Sequence, residues 1–191
     1  MKLCQVPDLV PAVFLAAVLC SCSTAPSPRP VFLFHVLLYR PPVEVTKWEA
    51  DPSLVADPEG AALNAMKAMQ RGDFDAWLSN WQPSERPAAT AEERRAFVSQ
   101  GQSLRGVGVE LLGRVVADAD VVVEFSFSGP KAPPGNFQIP LQRADGRWWF
   151  TAIDPASDYM HWETSTNKIV EYVDPNAFGQ HMDAVRSPTS N

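Results

Sequence analysis

Cysteine is missing from almost the whole chain: of 191 residues only Cys4, Cys20 and Cys22 carry a thiol, all near the amino terminus. Beyond them a structural disulfide, a cysteine-ligated zinc centre and a thiol nucleophile are excluded. Basic charge is also scarce. Sixteen Lys and Arg stand against 22 Asp and Glu, for a net charge of −6. A nucleic-acid partner would call for a basic stripe, and attraction to anionic lipid headgroups for a basic cluster, and neither is present. The histidines His35, His161 and His181 are far apart and show no ligand spacing, so no metal is expected. The chain has no Gly-rich phosphate loop and no serine nucleophile motif, so neither a cofactor nor a catalytic residue is expected. The apolar run Leu9 to Leu19 falls short of the ~20 residues that span a bilayer.

That run has the form of an export leader. Lys2 precedes it and Leu19-Cys20-Ser21-Cys22 ends it. The ending resembles the lipobox of bacterial lipoproteins, with Leu at −3 and a small residue at −1. The resemblance implies cleavage after residue 21 and acylation of Cys22. Ser23, not Asp, follows that cysteine, which implies the outer membrane, with the domain facing the periplasm and held through its lipid. Loss of residues 1–21 removes Lys2 and Asp8, so the net charge is unchanged. Residues 22–30 are rich in Ser and Pro and read as an extended tether.

Residues 31–56 form an N-terminal extension. Val31 to Tyr39 is apolar without alternation. It suits a strand buried on both faces of the domain's own sheet. A strand shielded by a partner, a short helix and a membrane-hugging segment remain open. His35 is expected to be packed in the core or at an edge. Trp48 is expected to act as a packing anchor.

Helical signals follow. Asp57-Pro58-Glu59 opens a helix with a cap, a proline suited to the first position and an acid facing the dipole. Arg71-Gly72 ends it, and Asp73 caps a second helix. Phe74, Trp77, Leu78 and Trp81 then fall on one face. Thr90-Ala91-Glu92-Glu93 is a capping box for a third helix ending near Gly101.

After Gly106 the period changes to two. Val107 to Val116, Val121 to Ser128, Phe137 to Gln142 and Trp148 to Ile153 read as strands of a curved antiparallel sheet, with a hairpin turn at Asp145-Gly146. Val121, Val123, Phe125 and Phe127 share one face, with Glu124 on the other. Pro140 places its strand at an edge or a bulge. In the C-terminal extension, 156–191, Tyr159 and Trp162 cover one end of the sheet. Asp174-Pro175 opens a last helix bearing Phe178, Met182 and Val185, before a tail after Arg186.

The expected fold class is therefore α+β, with N-terminal helices packed on a curved, cone-like antiparallel sheet. Ala65 to Trp77, with its Gly72-Asp73 break, and Asp145-Gly146-Arg147-Trp148-Trp149-Phe150 carry a family resemblance. Over residues 57–155 the chain resembles the nuclear transport factor 2-like, or ketosteroid isomerase-like, proteins. The resemblance implies a cone-shaped pocket, which in the family's enzymes holds an acid and often a tyrosine. Here the inward stripes are purely apolar.

A non-enzymatic envelope module that binds a small apolar ligand or an envelope protein follows from that pattern. Trp77, Trp81, Val123, Phe125, Phe127, Phe137, Ile139, Trp148 and Phe150 are its possible pocket lining. The alternatives are an assembly protein working through residues 31–39 or the outer sheet face, and a ketosteroid isomerase-like enzyme.

Overall fold

Helix α1 (Pro58–Arg71) is buried along nearly its whole length, from Glu59 to Met69. Its ends are fixed locally. The Asp57 carboxylate accepts the Gly60 N–H at 3.0 Å, Pro58 occupies the first turn, and Gly72 turns the chain out at φ +67°. Asp73 caps the short helix α2 (Phe74–Leu78). Thr90 and Glu93 close a reciprocal capping box on α3 (Ala91–Ser103). The structure, a computed structural model, describes residues 32–130, 135–152 and 158–187. The leader, Cys22, the tether, Ile153 and the final four residues lie outside the described residues.

The fold is α+β, built on one six-stranded mixed sheet. The strands are β1 (Phe34–Glu44), β2 (Gly108–Ala117), β3 (Asp120–Ser128), β4 (Asn136–Ala144), β5 (Arg147–Phe150) and β6 (Lys168–Val173), in the order β5-β4-β3-β2-β1-β6. The run beginning at Phe34 is a strand of the domain's own sheet, lodged between β2 and β6. It lacks alternation because both faces are covered. Phe34 and Val36 are buried against one layer, Tyr39 and Val43 against the other. His35 is exposed.

Two expectations change here. The sheet is not wholly antiparallel, since β6 pairs with β1 in parallel. Nor does a block of helices precede it, since β1 comes before all of them in the chain. Pro140 lies in β4, which has neighbours on both sides, but the β5 ladder stops beside it. The Thr151 N–H donates to the Pro140 carbonyl at 3.2 Å, and the reciprocal bond is the one a proline cannot make.

One face of the sheet carries Val121, Val123, Phe125, Ile139 and Leu141 against α1, with Phe178 and Met182 of the last helix, α4 (Pro175–Arg186). Each such side chain adds roughly 1.5–3 kcal/mol on burial. Trp48 packs on Phe178 with ring centroids 4.9 Å apart. The other face is covered by Tyr159 and Trp162 of the turn Asp158–Thr164, over Val115, Ala117 and Val122.

In β2 the register against β3 shifts between Leu111 and Gly113. This bulge resets the alternation. Val109 and Leu111 face α1 before it, and Arg114, paired with Val123, faces α1 after it.

Candidate functional site

An apolar groove of about 450 Å³ opens between the helices and the β4–β5 end of the sheet. Met69 of α1, Phe74 and Trp77 of α2, Phe97 of α3, Phe137 of β4 and Phe150 of β5 wall it. The helix breaks create this wall. Gly72 and Asp73 swing α2 off the end of α1, which sets Phe74 and Trp77 beside Phe97 at 5.4 and 4.9 Å between ring centroids. Gly101 lets α3 lie against that break, since a Cβ there would sit 2.6 Å from the Gly72 backbone.

Among the described residues, Glu93 is the one ionisable side chain lining the groove. Its carboxylate accepts from the hydroxyl and backbone N–H of Thr90, and these bonds hold its pKa below the usual range. It is therefore an ionised capping group and not a proton donor at neutral pH.

Three of the residues expected to line a pocket, Trp77, Phe137 and Phe150, lie on the groove wall. Trp81 stands behind it, 4.4 Å from Phe150 and 5.4 Å from Trp77 between ring centroids. Val123, Phe125 and Ile139 are fully buried in the main core. Phe127 and Trp148 pack, half-buried, against that core. Sequence reasoning missed Phe97, Phe74 and Met69 as lining. The helix caps, with one capping box on α3, located their helices, but nothing local shows which helix faces leave a gap.

A second constellation lies where α4 meets the start of α1. Glu59 is fully buried. Its Oε2 accepts the Tyr39 hydroxyl at 2.9 Å, and Arg114 approaches Oε1 at 3.7 Å. Burial raises the Glu59 pKa, against the lowering effect of Arg114. Burial, with Glu59 beside it, also pushes the Tyr39 phenol up, so the hydroxyl keeps its proton and donates. His181 Nε2 stands 2.6 Å from Asp57 Oδ2. The core therefore holds an acid and a tyrosine where apolar stripes alone were expected.

Glu124 faces away from Val123 and Phe125, as its place in the alternation requires. It is nevertheless buried, because the Asp158–Thr164 turn covers that face. Burial raises its pKa, while Asn136 and Gln138 donate to Oε1 at 3.2 and 3.3 Å.

No protein-family model and no curated protein matches the chain. Among solved structures, a SEC-C motif containing protein from Rhodopseudomonas palustris aligns at 24% identity, over 52% of this chain and 81% of that one, with a TM-score of 0.39. These findings give no support to a lipoprotein with a nuclear transport factor 2-like domain, and that reading is corrected. The residues that suggested it do general work. Gly72-Asp73 is a left-handed helix end followed by a cap, and Asp145-Gly146 is a hairpin turn with φ of 52° and 78°. Such signals belong to helices and hairpins in many folds.

Proposed function

We propose that this domain is a non-catalytic binding module that holds a small, uncharged apolar molecule in the groove walled by Phe74, Trp77, Phe97, Phe137 and Phe150. The observation that carries this reading is an open apolar groove of about 450 Å³ whose single ionisable group among the described residues is already committed to a helix cap. Ligand sites of roughly 300–1,000 Å³ are commonly apolar with few polar groups. A curved sheet cupping the helices belongs to the same reading. The register shifts in β1 and β2 support it, because bulges bend strands. The leader-like Lys2 and Leu9 to Leu19 support a place outside the cytoplasm, which cell fractionation tests.

Titration with the neutral fluorophore N-phenyl-1-naphthylamine tests the groove. Saturable binding at one site is expected, weakened at least tenfold by Ala96→Trp, which fills the groove from α3. No saturable binding, or equal binding by the variant, overturns the reading.

A second reading, assembly through the sheet, is favoured by β6. This edge strand exposes Ile169, Val170 and Tyr172. Its occupant would be the β6 of a second copy, and sedimentation velocity would show the dimer.

A further inference from the structure

We infer that Asp57, Glu59 and His181 form a binding site for one divalent metal ion, of the class that takes carboxylate and imidazole ligands together. One ligand atom from each of the three lies within 4.8 Å of the other two. Two carboxylates and one imidazole make a three-ligand set with room for water, as zinc sites with an open position have.

The independent observation is Glu59. Its side chain is fully buried, and its Oε1 has no hydrogen-bond partner among the described residues. A buried acceptor left bare is costly, and more so when it is charged. The other oxygen accepts the Tyr39 hydroxyl, which orients the carboxyl and leaves Oε1 without a hydrogen bond. Arg114 is the cation facing it, and at 3.7 Å it is too distant for a hydrogen bond.

Asp57 is likewise oriented. One oxygen caps α1 through the Gly60 N–H, and the other faces His181. Asp57 Oδ2 and His181 Nε2 stand 2.6 Å apart, within hydrogen-bond distance. Two ligands on one tetrahedral ion, each at 2.0–2.1 Å, stand about 3.3 Å apart. An ion between them therefore moves the imidazole back by less than an ångström and draws in Glu59, whose ligand atom lies within 4.8 Å of both. His181 can move, because 44% of its side chain is exposed. Binding in this way couples α4 to the start of α1.

The sequence hid this site. Asp57 and His181 are 124 positions apart, and Asp57-Pro58-Glu59 reads fully as a helix start.

The test is calorimetric titration of the full chain with Zn²⁺ alone at neutral pH, with Cys4→Ser, Cys20→Ser and Cys22→Ser removing its three thiols. One equivalent is expected to bind. His181→Ala is expected to weaken it at least tenfold, and Glu59→Gln likewise. Arg186→Ala, which removes the α4 contact to Asp51 without touching a ligand, is expected to leave binding unchanged. Should Glu59→Gln fail to fold, the exposed His181→Ala still decides. No stoichiometric Zn²⁺ binding, or binding unaltered by His181→Ala, overturns the site.

Discussion

Tyr39 and Glu59 tie the first strand to the central helix: the Tyr39 hydroxyl donates to Glu59 Oε2 at 2.9 Å, with both residues buried. Tyr39→Phe keeps the ring and its edge-on packing against Phe178, 5.7 Å between centroids, and removes only the donor. It leaves Glu59 with neither oxygen hydrogen-bonded. The expected loss is about 1–3 kcal/mol, read from a denaturant midpoint. An unchanged midpoint would show that the hydroxyl adds nothing to the buried carboxyl.

Glu124 gives a pH signature. Burial raises its folded-state pKa, so the folded state holds the proton more tightly than the unfolded chain. The resulting stability is fully present below the unfolded value, about 4.3. It is lost as pH rises through the folded value. Glu124→Gln keeps an acceptor for Asn136 and Gln138 and removes the charge. The variant is expected to be more stable than wild type at neutral pH and to lose that advantage below pH 4. Parallel stability curves at all pH values would contradict this sign.

The helices were legible because their ends are written in local chemistry. Asp57, Gly72, Asp73 and the Thr90–Glu93 pair each act within a few residues. The strands were legible from alternation, and β3 kept its expected faces. Long-range relations were not legible. The Leu111/Gly113 register shift moves Arg114 to the helix side, and no local signal marks that change. The parallel β1–β6 pair joins residues more than 130 positions apart in the chain. Glu124 was placed on the correct face, yet its burial depends on a turn from a distant segment. Of the groove, the aromatic stripe on α2 was visible, and its facing partner Phe97 was not.

Gly113 marks where the bulge meets β1. Its φ is +154°, and a Cβ there would overlap the Leu37 carbonyl oxygen. Gly113→Ala is expected to destabilise by about 1–3 kcal/mol from backbone strain alone, and by more once β1 is pushed aside. A thermal midpoint equal to wild type would show that β1 and β2 separate freely at this point.

Trp77 is half-buried on the groove wall and touches Phe74, Trp81 and Phe97. Trp77→Ala is expected to cost about 2 kcal/mol, less than the roughly 3–5 kcal/mol of a fully buried aromatic. It is also expected to weaken N-phenyl-1-naphthylamine. A loss near 5 kcal/mol would place Trp77 in the closed core and not on an open wall.

The central claim is that apolar molecules bind beside Met69, and the methionine methyl groups report on it directly. Met69 lines the groove, Met160 lies on the opposite face of the sheet, and Met182 sits in the core under α4. In protein labelled with ¹³C at the methionine methyls, titration with N-phenyl-1-naphthylamine is expected to shift Met69 to saturation while Met160 and Met182 stay in place. A fixed Met69 signal, with Met160 or Met182 moving as the probe binds, would contradict the account.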